Sequence, residues 1–177
     1  ISPETWQQDF HFPVKEGGNA YEVNTIHTID LPFELVSSTK TEAIFRCYNT
    51  NGGYLEKRFS LGKGYLLDMD LSFVGMGEFS DELSSTIELD WKSEMIPQEN
   101  NLENERRYSS LYYRSGGDDV DNLSLTKSEE EEVTARMDWV SFKQQFFNTT
   151  MIYSDGFASG EVEVAFNEDD TGYVKKY

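Results

Sequence analysis

The 177-residue sequence has very few of the side chains from which common catalytic and metal sites are built. It contains one cysteine, Cys47, and two histidines, His11 and His27. A single cysteine excludes an internal disulfide, and three nitrogen or sulfur ligands in total disfavour a zinc site. No Gly-x-Ser-x-Gly elbow, Walker loop or dinucleotide fingerprint occurs. We therefore predict a protein that is not an enzyme, with no catalytic, cofactor-binding or metal-ligating residue and no cofactor.

Basic residues and long hydrophobic runs are also scarce. The 15 Lys and Arg residues face 33 Asp and Glu residues, so the net charge is -18. This charge repels nucleic acid and anionic membrane surfaces, and no nucleic-acid partner is expected. No apolar run approaches the ~18 residues that span a bilayer. Because no signal peptide is present and the chain begins with Ile1, we interpret it as a soluble domain excised from a larger protein.

What the sequence does contain is aromatic residues, 14% of the total, in patterns that alternate with a step of two. The clearest case is the segment 65–73, where Tyr65, Leu67, Met69, Leu71 and Phe73 are predicted to point one way and polar residues the other. Asn51 and Gly52 predict a hairpin turn. Further short strands are predicted near 21–25, 41–48, 54–61, 87–91, 108–114, 149–153, 160–166 and 172–177. Such a pattern predicts an all-β, antiparallel sandwich with few short helices, in a single domain spanning residues 1–177.

Three segments depart from this pattern. Residues 1–20 are predicted to be irregular, because Pro3, Pro13 and two glycines interrupt them. Residues 97–105 form a polar insertion with a short helical turn. Ser128 and Glu131 have the spacing of a capping box, which predicts one helical turn there.

The segment 139–147 is the most distinctive, because four aromatic residues enclose two adjacent glutamines. We expect it to be a buried strand, with a helix as the alternative, and its glutamines to bond backbone groups where the strand bends. The residues singled out as a structural core signature are Trp139, Phe142, Gln144, Gln145, Phe146 and Phe147.

This segment resembles a stretch of the large periplasmic domain of the bacterial membrane-insertase family YidC. Other motifs agree in order along the chain: Lys57-Arg58-Phe59, Leu89-Asp90-Trp91-Lys92, Arg107-Tyr108, Tyr112-Tyr113 and Asp155-Gly156-Phe157. The resemblance implies a β-supersandwich of two packed sheets, with membrane helices outside these residues. A family domain of this kind is usually longer than this chain, so we also expect one exposed sheet edge.

The resemblance further implies an accessory, non-catalytic domain on the periplasmic side of the bacterial inner membrane. Its expected partners are accessory subunits of the Sec translocon or membrane-protein substrates. The alternative is a carbohydrate-binding or carbohydrate-active sandwich, which would need exposed aromatic rings in a cleft and, for catalysis, two facing carboxylates. A third possibility is a surface protein that polymerises by strand exchange, which would need an unpaired donor strand at one terminus.

Overall fold

The computed structural model describes residues 5–15, 23–76, 86–117 and 119–177. Antiparallel strands dominate these residues and helices are few, which confirms the predicted all-β sandwich class. The chain divides into two compact units, which are described separately. Unit 1 comprises Ile1–Gln8 and Trp91–Tyr177, and unit 2 comprises Asp9–Asp90. That the whole chain forms one domain stays a prediction.

The elements follow one another in chain order. The strands are β1 Trp6–Lys15, β2 Val23–His27, β3 Glu34–Ser38, β4 Glu42–Tyr48, β5 Tyr54–Leu61, β6 Leu67–Val74, β7 Glu88–Met95, β8 Ser110–Ser115, β9 Asp119–Asn122, β10 Glu129–Val133, β11 Met137–Lys143, β12 Asn148–Phe157, β13 Gly160–Val164 and β14 Lys175–Lys176. A 3-10 helix spans Thr28–Asp30, and one short helix, α1, spans Leu102–Arg107. The helical turn predicted in the polar insertion is thus present, and Asn101 caps it by accepting a hydrogen bond from the Asn104 N–H.

Unit 2 contains a four-stranded meander in the order β3-β4-β5-β6. The predicted turn between β4 and β5 is confirmed, because Gly52 has φ +86° and the Asn49 N–H donates to the Gly53 carbonyl at 2.9 Å. Phe12 and Leu55 form the buried centre of this unit, and the half-buried side chains packed around them are Ile26, Leu31, Phe33, Leu71 and Phe73. β3 is an edge strand whose five residues are all exposed, so the expected exposed edge is present.

The prediction that residues 1–20 are irregular is wrong for Trp6–Lys15, which form β1. β1 pairs with β2, and Phe12 within it is only 1% exposed. Pro13 lies opposite Thr25 in this ladder. A proline is tolerated in a strand wherever its missing N–H is not needed for pairing, so burial of Phe12 outweighs the local signal. Residues 1–4 and 16–20 lie outside the described residues.

Unit 1 contains a four-stranded sheet, a two-stranded ribbon and the pairing of β7 with β14, and these share one apolar core. The sheet has the order β12-β11-β8-β9, and the ribbon pairs β10 with β13. Phe142 lies at the centre of the core, stacked between Trp91 and Tyr177 at centroid distances of 4.0 and 5.0 Å. The buried side chains of this core are Met95, Leu111, Tyr113, Leu123, Val133, Met137, Phe142, Val162, Val164 and Val174.

The helical turn predicted from Ser128 and Glu131 is wrong, because Glu129–Val133 form β10. The pairing with β13 places Val133 in the core, 6% exposed. The Ser128 hydroxyl does not cap a helix; it donates to the Phe166 carbonyl and accepts from the Phe166 N–H at 3.1 and 2.9 Å. Long-range pairing and burial therefore override the local capping pattern.

Candidate functional site

A groove in unit 1 lies on the face of the β12-β11-β8 sheet that points away from the core. Register places Ser141 between Tyr112 and Thr150, and Trp139 beside Ile152. Because successive side chains in a strand alternate between faces, Phe142 enters the core while Trp139 and Ser141 line the outside. The groove has a volume of about 510 Å³.

One end of the groove is formed by the turn between β11 and β12. β11 ends at Lys143, and the Gln144 N–H then donates to the Phe147 carbonyl at 2.7 Å. Phe146 and Phe147 are 67% and 63% exposed. The prediction that these two rings belong to the core is therefore wrong, because both side chains project from the hairpin turn that follows β11.

The other members of the predicted signature have distinct positions. Phe142 is in the core as expected, 2% exposed, whereas Trp139 is half-buried on the groove face. Gln144 donates from Nε2 to the Ile96 carbonyl at 3.1 Å, which fits the expectation that a glutamine bonds backbone where the strand bends. The Gln145 Oε1 accepts from Asn104 at 3.4 Å.

Glu105, which the sequence did not reveal as a site residue, hydrogen-bonds to the turn 144–147. It is 1% exposed, and its carboxylate accepts hydrogen bonds from the Gln98 and Glu99 N–H groups at 3.1 and 3.2 Å. It also accepts from Gln144 Nε2 at 3.4 Å. A glutamate in an acidic segment gives no signal of burial, so only the contacts identify it. These bonds fix the turn that carries the two exposed phenylalanines.

The groove combines apolar walls with a polar floor. Its walls are the side chains of Trp139, Phe146, Phe147 and Ile152. On its floor the Ser141 and Thr150 hydroxyls lie 2.8 Å apart. Lys143 donates to the Tyr108 carbonyl at 3.2 Å, and its Nζ lies 5.6 Å from the centroid of the Tyr112 ring. The described lining contains no carboxylate, imidazole or thiol, and the arrangement suits stacking and hydrogen bonding to a bound chain.

Unit 2 contains both histidines and the single cysteine of the sequence, which are residue types that catalytic sites often use. His11 and His27 stack across β1 and β2 with centroids 5.0 Å apart, and His27 Nδ1 lies 2.6 Å from Asp9 Oδ2. Cys47 is half-buried in β4. Burial raises the pKa of the Cys47 thiol, and the nearby Glu34 raises it further, which disfavours the nucleophilic thiolate.

Unit 1 also contains two buried basic side chains, Arg106 and Lys175, that the sequence did not reveal as buried. Arg106 donates to the carbonyls of Asn167, Glu168 and Tyr173 at 3.2, 2.9 and 3.0 Å. These bonds fix the acidic segment 167–173. Lys175 is 1% exposed and donates to the Leu125 carbonyl at 2.9 Å. Burial, with a smaller contribution from Arg106, lowers the pKa of Lys175 to about 8. Both side chains bind backbone carbonyls, so their arrangement is structural.

Two features are absent from the part of the chain that the structure describes. No group of three or more His, Cys, Asp or Glu side chains is arranged to hold a metal ion. No helix has the length and hydrophobicity that a membrane span requires.

Comparison with known proteins gives one consistent result. Residues 20–177 match the family model of the YidC periplasmic domain. The membrane protein insertase YidC of Bacteroides fragilis is 29% identical over 170 residues, which is 96% of this chain and 26% of that protein. The YidC proteins of Phocaeicola vulgatus and Porphyromonas gingivalis are 29% and 26% identical, over 86% and 96% of this chain and 25% and 27% of theirs.

The chain thus spans about a quarter of the length of the curated relatives it matches. No solved structure gives a significant match. The family match covers residues 20–177 and so includes the groove, the turn 144–147 and the buried Glu105 that bonds to it. On these grounds the chain belongs to the YidC periplasmic domain family.

Proposed function

We propose that this domain contacts other polypeptides through the groove of unit 1, on the periplasmic side of the inner membrane. The observation that carries the proposal is the pair of adjacent phenylalanines, Phe146 and Phe147, held exposed at the end of a groove walled by Trp139 and Ile152. Large exposed apolar patches on a protein surface mark interaction sites. Aromatic rings in such patches carry much of the energy of protein–protein binding.

The edge strand β12 supports an extended polypeptide as the bound partner. β12 is ten residues long and ends the strand order of its sheet among the described strands, so its outer backbone groups are open to pairing. An added strand gains main-chain hydrogen bonds from such an edge, and alternate side chains enter neighbouring pockets. Ile152 and Tyr153, 67% and 51% exposed, offer contacts on both faces of the edge.

The partners proposed are membrane-protein substrates or accessory subunits of the Sec translocon. Membrane-protein substrates are proposed because the relatives are named membrane protein insertases. Accessory subunits of the Sec translocon are proposed because of the family resemblance. In either case the domain is an accessory of the insertase and catalyses no reaction.

Site-specific photo-crosslinking in the intact insertase tests the proposal. A photoreactive phenylalanine at Phe147 is expected to crosslink to a nascent membrane protein or to a translocon subunit during insertion in membrane vesicles. The same probe at Tyr48, which is 51% exposed in unit 2, is the matched control. Absence of crosslinks at Phe147, or equal crosslinking at both positions, contradicts the proposal.

A sugar ligand is the second candidate, because Trp139 and Phe147 offer rings beside the amide and hydroxyl groups of Gln145 and Thr150. Aromatic stacking combined with short polar side chains also suits a sugar ring. Titration of the chain with a panel of mono- and oligosaccharides, followed by tryptophan fluorescence, separates the two candidates. Millimolar or tighter binding to a defined sugar favours the carbohydrate function, whereas no response favours the polypeptide.

A further inference from the structure

One end of the unit 2 sheet carries an unusual concentration of exposed apolar side chains. The β3–β4 turn and the β5–β6 turn lie at the same end, and the Leu61 N–H joins them by donating to the Thr41 carbonyl at 2.8 Å. Tyr65 is fully exposed, and Leu61, Leu66 and Leu67 are each more than half exposed. We refer to residues 61–67 together with Lys40 as the tip.

The backbone of the tip holds these side chains outward. The Gly62 N–H donates to the Leu66 carbonyl at 2.9 Å and closes the loop. Gly64 has φ +77°, a conformation that other residues rarely adopt, and so allows the tight return. Because Tyr65 and Leu66 lie at the apex of this closed loop, no side chain of the sheet covers them.

Two lysines accompany the apolar residues. Lys40 and Lys63 are exposed in the two turns. The ion pairs found within this sheet join Arg46 and Arg58 to glutamates and do not involve either lysine. The tip therefore presents positive charge beside apolar groups, in a chain whose net charge is -18.

We propose that the tip inserts into the headgroup region of an anionic phospholipid bilayer. Leucine side chains would enter the acyl boundary, Tyr65 would lie at the interface that tyrosine favours, and the lysines would contact lipid phosphates. A protein partner is disfavoured because a stable protein interface takes about 20–30 residues a side, whereas the tip comprises residues 61–67 and Lys40 alone. The inference rests on the proposed function, which places this domain beside a membrane.

The net charge of the chain does not prevent such a contact. At physiological ionic strength, exposed charges more than about 8 Å apart are largely screened. Of the carboxylates that flank the tip in sequence, Glu42 pairs with Arg58 at 3.3 Å, and Asp68 is outnumbered by the two lysines. In the intact insertase, membrane attachment would also keep the local lipid concentration high, so that a weak contact suffices.

Vesicle sedimentation tests the inference with two matched double variants. The 177-residue chain is mixed with vesicles of phosphatidylethanolamine and phosphatidylglycerol, and the bound fraction is measured after centrifugation. Tyr65→Ser with Leu66→Ser should lower the partition coefficient about tenfold, because two apolar side chains no longer leave water. Tyr48→Ser with Val74→Ser removes as many exposed apolar groups at the opposite end of the same sheet, where both residues pair with Tyr54, and should leave vesicle binding unchanged. No binding of the unmodified chain, or equal loss in both variants, would overturn the inference.

A probe at the tip gives a second, position-specific readout. In a Cys47→Ser background, Tyr65→Cys labelled with an environment-sensitive dye should show brighter, blue-shifted emission on addition of vesicles. Unchanged emission while the protein sediments with vesicles contradicts insertion at this point. Concentration-dependent self-association without vesicles that Tyr65→Ser with Leu66→Ser abolishes would instead assign the tip to a second copy of the chain. Crosslinking at Phe147 tests the groove separately, so failure of one proposal is distinguishable from failure of the other.

Discussion

Replacing Phe142 by alanine should be among the most destabilising single changes in unit 1. Its ring is 2% exposed and stacks on Trp91 and Tyr177. A buried Phe→Ala substitution costs about 3–5 kcal/mol of unfolding free energy, and each stacked aromatic pair contributes about 0.5–1.5 kcal/mol beyond its area. Because Phe142 has two such partners, we expect a loss near the upper limit, about 5 kcal/mol. Natural domains have only about 5–15 kcal/mol in total, so the variant should be close to unfolding.

Urea unfolding followed by far-UV circular dichroism measures this loss. The matched control is Phe146→Ala, a change of the same chemistry four residues away at a ring that is 67% exposed. An exposed substitution of this kind costs less than about 0.5 kcal/mol. The reasoning is refuted if the two variants lose similar stability, or if Phe142→Ala loses less than about 1 kcal/mol with an unchanged dependence on urea.

Two further predictions concern buried carboxylates. Glu105→Ala should destabilise the protein by about 1–3 kcal/mol, because the Gln98 and Glu99 N–H groups lose their acceptor. Glu105→Gln should cost less, because its amide oxygen still accepts a hydrogen bond. Thermal unfolding compares the two variants, and equal losses contradict the role of the carboxylate as acceptor. Burial of Asp9 tends to raise the pKa of its carboxyl, but hydrogen bonds from His27, Ile29 and Thr28 outweigh this and lower the pKa below the ordinary 3.8. The stabilisation from Asp9 is therefore complete above about pH 4 and is lost as the pH falls through the lowered folded-state pKa. The difference in unfolding free energy between the original chain and Asp9→Asn should shrink in that acidic range, and a constant difference would contradict the assignment.

The strands were predictable from the sequence wherever the alternation was strict. The segment 65–73 shows both the strength and the limit of this signal. Leu67–Val74 form β6, with Met69, Leu71 and Phe73 on one half-buried face. Leu67 shares that face yet is 54% exposed. The predicted start at Tyr65 is wrong, because Tyr65 lies in the preceding turn and is fully exposed. Alternation reveals which side chains share a face, but not how far the covering layer extends along the strand.

The candidate site was harder to predict because hydrophobicity was taken as burial. The same segment contains the core residue Phe142 and the exposed Phe146, and the end of β11 at Lys143 separates them. The two glutamines marked a bend there, but the local pattern did not show that the rings beyond the bend leave the core. Glu105 was equally hidden, because its partners lie in loops whose approach depends on the whole unit. Long-range contacts, which a local pattern does not encode, therefore determined the site.

The division of the chain into units has a consequence for the order of folding during synthesis. Unit 2 is the continuous segment Asp9–Asp90, whereas unit 1 combines Ile1–Gln8 with Trp91–Tyr177. A chain that emerges from its N-terminus can complete unit 2 while unit 1 is still being made. The core of unit 1 is complete only once Tyr177 has been synthesised, because its ring stacks on Phe142. During that interval the apolar side chains of unit 1 have no complete core to enter, so the nascent domain passes through a stage in which it is itself prone to aggregation.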